Sequence, residues 1–87
     1  MDSTEFEKHV REIVAKMEND RDAEKRVEPN DVFIVWMCKT LQNNKALAST
    51  LGGYYYELTY NGDRGEMYID VYKKIMNKTH RCYYKET

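Results

Sequence analysis

Apolar positions recur at helical spacing near the start of the chain and at alternate positions further along. Phe6, Val10, Ile13, Val14 and Met17 form one stripe of an amphipathic helix. Thr4 followed by Glu7 fits a capping box, in which hydroxyl and carboxylate accept from each other's backbone amides. The pattern predicts a helix from 4 to about 19. From Glu18 to Asp31, both included, nine residues are charged and Val27 is the only branched aliphatic. Pro29 also pushes Glu28 out of helical backbone geometry. Residues from about 20 to 31 therefore read as an exposed connector.

Val32-Phe33-Ile34-Val35-Trp36 supplies five successive β-branched or aromatic residues, a strand apolar on both faces that runs to about Leu41. A second helix capped by Asn30 or Asp31 is the competing reading of this segment. Trp36, following four apolar residues, is expected in the core. Asn43-Asn44 offers a tight turn because Asn tolerates positive φ, and Lys45 to Leu51 returns beside the first strand. After Gly52-Gly53, Tyr54, Tyr56 and Leu58 alternate with Tyr55, Glu57 and Thr59. Met67, Ile69 and Val71 alternate in the same way with Tyr68, Asp70 and Tyr72. A one-residue slip would flip a face, so the loop between them must be of even length. Pairing Tyr60 with Gly65 sets Leu58 opposite Met67, Tyr56 opposite Ile69 and Tyr54 opposite Val71. Thr79 to Tyr84 can add a last short strand. The fold class is α+β: an N-terminal amphipathic helix packed on an antiparallel, four- or five-stranded meander, with the sheet over about 32–84.

Length fits a single domain over residues 1–87. A chain of this size buries only about 60% of its unfolded surface, and a homodimer is one route to further burial. A hydrophobic fraction of 41% beside 33% charged residues excludes the disordered class. No apolar run approaches the roughly 18 residues of a membrane span, and the acidic start lacks a signal-peptide apolar region. Cys38 and Cys82 have no CxxC partner, so free thiols in a reducing cytoplasm are expected. Residues 1–31 carry six Lys and Arg against ten Asp and Glu, a net −4. Residues 32–87 carry eight against five, a net +3.

The segments Asp31–Leu47, Tyr56–Asp63 and Tyr68–Lys74 are distinctive in their order of apolar, tyrosine and turn residues. They resemble a family of small uncharacterised proteins encoded by phages and prophages of Gram-positive bacteria. The resemblance covers about residues 30–74. It implies a phage origin and a bacterial host cytoplasm, and it carries no activity, ligand or catalytic residue with it.

Chemistry-bearing constellations are few. His80 and Cys82 share a face if the end of the chain is a strand, and Cys38 would be a third ligand. Structural zinc needs four ligands and CxxC-like pairs, so no metal and no cofactor is expected. Ser3, Ser49 and the scattered carboxylates form no nucleophile elbow or paired-acid spacing. The glycine pairs sit in sheet turns with no helix N-terminus after them. Binding rather than catalysis is the expectation. All eight tyrosines lie between 54 and 84, interleaved with basic residues. Tyr54, Tyr56 and Tyr60 belong to the core side, and Tyr55, Tyr68 and Tyr72 to the opposite face. With Lys73, Lys74 and Arg81, the latter three make the candidate binding surface. Single-stranded nucleic acid would use such residues for stacking and phosphate neutralisation. Glu57 and Asp70 lie among them, however, and mixed charge beside tyrosine suits a protein partner. The expected function is a phage accessory protein that binds a protein partner (a host or phage factor, or itself). A single-stranded nucleic-acid binder is the alternative.

Overall fold

The computed structural model describes residues 1–83. Helix α1 spans Ser3–Arg21, a residue earlier and two later than the apolar stripe implies. The cap is Asp2 rather than Thr4: its carboxylate accepts from the Glu5 amide at 2.8 Å. That amide holds the Asp2 carboxyl below its ordinary range. Thr4 lies inside the first turn, and Glu7 instead meets Arg11 at 3.1 Å. Phe6, Val10, Val14 and Ala15 are buried along one side, with Ile13 and Met17 half-buried beside them.

The connector doubles back onto the helix that precedes it. Asn19 grips Val27 at two points: its side-chain amide donates to the Val27 carbonyl at 3.0 Å, and its oxygen accepts from the Val27 amide at 2.9 Å. A short 3₁₀ turn at Pro29–Asp31 follows, with Asp31 accepting from the Glu28 amide. Val32 is buried, and its carbonyl accepts from Arg11.

Four strands complete the fold: β1 Phe33–Thr40, β2 Asn43–Ser49, β3 Tyr54–Asn61 and β4 Glu66–Lys73. They form one antiparallel sheet in chain order, a meander with β1 and β4 as open edges. Residues 33–40 are therefore strand, not helix. The first turn is Leu41–Gln42, with Thr40 opposite Asn43. Asn43 and Asn44 thus lie inside β2 rather than at the turn, and Leu41 takes the positive φ of 55°. Asn43 contributes differently, accepting from the Gly62 amide at 3.0 Å.

The second hairpin keeps the expected faces but slides by two residues. Asn61 pairs with Glu66, Tyr60 with Met67, Leu58 with Ile69 and Tyr56 with Val71. The four-residue loop is organised by Asn61, whose side chain accepts from the amides of Asp63 and Arg64, and Gly65 supplies a φ of 63°. Among the described residues no strand follows Lys73, so four strands are seen and Thr79–Tyr83 is not one of them; Tyr84 lies outside the described residues.

The helix crosses above β1 and β2, where Ala46 and Ala48 leave room for its side chains. Tyr56 and Leu58 of β3 close the core, and both are fully buried. Burying a large side chain contributes about 1.5–3 kcal/mol, so this single layer of contacts carries most of the fold's stability. No helix among the described residues is long and apolar enough to cross a membrane.

Candidate functional site

The sheet has two faces and one helix. The inner face carries Ala46, Ala48, Tyr56 and Leu58 against α1. The outer face has no layer over it among the described residues, and strand pairing orders it into rows. One row runs Phe33, Ser49, Tyr55, Tyr72 across the four strands. The next runs Trp36, Leu47, Glu57, Asp70, and a third Cys38, Lys45, Thr59, Tyr68. Phe33, Trp36, Tyr68 and Tyr72 are all exposed, at 54%, 41%, 42% and 53%. Single exposed apolar side chains need no explanation, but a contiguous patch of them marks a contact surface.

Trp36 reaches this face because of a bulge. The pairing of β1 with β2 skips a residue between Ile34 and Trp36, which leaves Val35 unpaired. Strand side chains alternate, so one extra residue inverts the faces that follow. Phe33 and Trp36 then point the same way, and the core placement expected for Trp36 is overturned. Val35, at 51%, is exposed too.

Glu57 and Asp70 stand directly opposite each other near the centre of the patch. Like charges in that relation are destabilising. Lys45 relieves part of it, with its ammonium 3.7 Å from the Glu57 carboxylate. Tyr68 donates a long hydrogen bond of 3.5 Å to Glu66 on the same face. Lys45 offsets Glu57, and Arg64, 3.9 Å from Glu66, offsets the second carboxylate, which leaves Asp70 as the carboxylate of this face with no ion pair among the described residues.

The structure gathers Tyr55, Tyr68 and Tyr72 on one surface, as their alternation implied. Of the basic candidates it brings only Lys74 to their side, opposite Gly53 in the continued ladder and in phase with Tyr72. Lys73 pairs with Tyr54, which places it on the helix side of the sheet. Lys74 continues the ladder, its amide donating to the Gly53 carbonyl at 2.8 Å. Arg81 lies further along, in an exposed stretch without regular structure. Cys38 and Cys82 are both free thiols, and no group of three metal-ligating side chains is assembled among the described residues.

A family model describing a family of unknown function (DUF6275) matches residues 4–82. The chain belongs to that family. No curated protein and no solved structure matches the chain. The family match reaches from the helix to the stretch beyond β4, so it takes in the outer face and the segment that carries Arg81.

A second feature lies at the other end of the helix. Glu18 is 1% exposed and is held by Arg21 at 3.0 Å, by Lys25 at 3.3 Å and by the Thr50 hydroxyl. Burial raises its pKa, but the bonds from Thr50 and Lys25 and the two positive charges outweigh that, so the carboxyl sits below its ordinary range. Arg21 also donates to the Tyr56 hydroxyl at 2.9 Å and stacks 3.9 Å from the Tyr54 ring centroid. Burial lifts the Tyr56 hydroxyl above its ordinary range. This network ties the helix end to the β2–β3 loop at Gly52, where a Cβ would meet the Lys25 ammonium at 2.5 Å. A cleft of about 540 Å³ opens beside it, between the connector and Leu51, with Val27 and Phe33 in its walls. Every charge of the network is already paired, so its role is to hold the fold together.

Proposed function

We propose that this chain is a small phage accessory protein that works by docking a protein partner onto the outer sheet face, and that it is not an enzyme. The phage origin rests on the resemblance of residues 30–74. The docking reading rests on one observation: aromatic and apolar side chains from all four strands meet on a face that no part of the described chain covers. Tyrosine and tryptophan bury large area at small entropic cost, which is why they dominate the energetics of interfaces. The central carboxylates give that face a preference for partners that bring Lys or Arg. A cation there is met by carboxylates and by aromatic rings together.

The nucleic-acid alternative is weakened by the same rows. Phosphate needs a positive stripe beside the rings, and the opposed Glu57 and Asp70 occupy that place while Lys73 points to the helix side and only Lys74 follows Tyr72. Affinity for short DNA or RNA should stay at the roughly 10⁻⁴–10⁻⁶ M of non-specific contacts in physiological salt. Fluorescence anisotropy across a salt series measures it. In parallel, affinity capture from host cells with and without nuclease should return a protein partner that survives nuclease and is lost on Tyr68→Ala with Tyr72→Ala. Submicromolar oligonucleotide binding lost in that variant would replace the docking reading by the nucleic-acid one.

A further inference from the structure

Two parts of the molecule lack a partner, and their chemistry is complementary. The first is the outer face, aromatic and with the carboxylate of Asp70, unpaired among the described residues, opposite Glu57. The second is the stretch beyond β4. Residues 74–83 carry Lys74, Lys78 and Arg81 with no Asp or Glu, and they interleave Ile75, Met76 and Tyr83. Those three are 94%, 72% and 101% exposed, so they pack against nothing in their own chain. Exposed apolar surface on the segment and on the face costs free energy in water, and the segment's cations and the Asp70 carboxylate attract each other.

We infer that the outer face is occupied by the C-terminal segment of a second copy of this chain, in a reciprocal exchange between two molecules. The inference rests on the docking reading of the same face and names its partner. Lys78 and Arg81 of one copy would meet Glu57 and Asp70 of the other. Ile75 and Met76 would lie among Trp36, Tyr55 and Tyr72.

Direction favours a second molecule over the segment's own sheet. The Lys74 amide extends the β3–β4 ladder to Gly53, so the chain leaves the sheet travelling along β4 and away from the face. Folding back onto its own outer face would need a sharp reversal directly after Lys74, where Ile75 and Met76 are poor turn residues. Reach is sufficient. Ten extended residues span about 33 Å, more than the roughly 26 Å of an eight-residue strand. A segment about 33 Å long and about 10 Å wide covers on the order of 300 Å² of such a face, so a reciprocal pair removes about 600 Å² from the two faces and a comparable area from the two segments, about 1,200 Å² together. That meets the size at which specific interfaces begin. Exchange of an identical element is a low-cost route to a symmetric dimer.

Sedimentation velocity of the full-length chain, at high micromolar concentration and low salt, tests this. The expected mass is twice the 10.4 kDa of one chain. Asp70→Lys in one preparation, and Lys78→Glu with Arg81→Glu in another, should each weaken association at least roughly tenfold by setting like charges together. Mixing the two should restore a dimer, because at each contact position 70 then faces a segment of opposite sign at 78 and 81. A monomeric wild-type chain overturns the inference. So does a mixture that associates no better than its components, the result expected if the segment acts within its own chain or touches nothing. A chain that is monomeric but still captures a nuclease-resistant partner through Tyr68 and Tyr72 sinks the exchange and leaves the docking function standing.

Discussion

The two faces of the sheet are built from the same strands and differ in what they can lose. On the inner face small residues alternate with large ones: Ala46 and Ala48 on β2 receive the helix, and Tyr56 and Leu58 on β3 fill what remains. Each of those side chains is in contact with others on every side. On the outer face the exposed aromatic residues stand on the edge strands, two on β1 and two on β4, with half-buried Leu47 and Tyr55 between them and the carboxylates of Glu57 and Asp70 opposed across β3 and β4. Tyrosine and tryptophan suit strands, and Tyr55 opposite Tyr72 supports the sheet, but the opposed carboxylates of Glu57 and Asp70 work against folding. A face tuned for stability alone would set opposite charges across that pair. The contrast teaches that the inner face answers to the fold, and on the docking function proposed above the outer face answers to a partner.

The largest effect that would break this contrast is a direct one. Leu58→Ala removes a fully buried side chain and should cost about 2–5 kcal/mol, a large part of the stability of a domain this size. Tyr72→Ala, on the outer face, should change stability by no more than about 0.5 kcal/mol. Urea unfolding followed by circular dichroism measures both. Equal losses would mean the outer tyrosines carry the fold, and the case for a docking surface would fail.

Next in size is the network that clamps the helix to the inner face. Glu18→Gln keeps the shape and removes the charge, leaving Arg21 and Lys25 without their shared partner. Both cations are about a third exposed, which screens the loss to about 1–3 kcal/mol. The folded carboxyl is held below the value of 4.5 that it has unfolded, so it contributes stability above that pH. As pH falls through the lower, folded value, that contribution disappears. Wild type should therefore lose stability in acid more steeply than Glu18→Gln, and unfolding curves between neutral and acid pH would show the slopes. Parallel slopes would show that the charge of Glu18 is not what ties the loop down.

Gly62 tests how the two hairpins meet at the far end of the sheet. A Cβ there would lie 2.2 Å from the Gln42 carbonyl, and backbone cannot step aside as a flexible side chain can. Gly62→Ala should cost about 1–3 kcal/mol and loosen the Gln42 to Asp63 bond, now 2.7 Å. Hydrogen exchange at the Gly62 amide, which Asn43 accepts, reports the loosening; unchanged protection would mean that the two turns do not press on each other.

Much of this architecture was legible in the chain, and the misses have physical causes. The helix stripe and the alternation in β3 and β4 depend on periods of 3.6 and 2, which survive small errors of register. The β3–β4 pairing is two residues from that expected, yet every face is right, because an even slide preserves parity. The β1–β2 turn moved because Asn43-Asn44 has the better intrinsic tolerance of positive φ, while the turn fell on Leu41 at φ 55°. Packing of Asn43 onto the neighbouring hairpin outweighed local preference. Trp36 changed face through a bulge that leaves no mark in the hydrophobic pattern. Glu18 could have been found: it continues the four-residue spacing of Phe6, Val10 and Val14, a carboxylate in line with the buried stripe. At the candidate site the tyrosines were legible, but the company they keep was not. Lys73 follows Tyr72 in the chain and therefore had to take the other face.

The smallest effect is the most discriminating, because its sign separates a face made for folding from a face made for binding. Asp70 is a poor strand residue and stands opposite Glu57, which Lys45 already engages at 3.7 Å. Replacing it by threonine removes the like-charge pair and adds a β-branched side chain. Asp70→Thr should therefore raise stability by about 0.2–1 kcal/mol. The same change should weaken docking, since it removes one of the carboxylates that a cationic partner would meet. A gain in urea midpoint together with a loss of partner binding is the signature of a residue kept at a cost to the fold. If Asp70→Thr instead lowers the midpoint, the carboxylate is satisfied within its own chain, and the acidic centre of the outer face no longer argues for a basic partner.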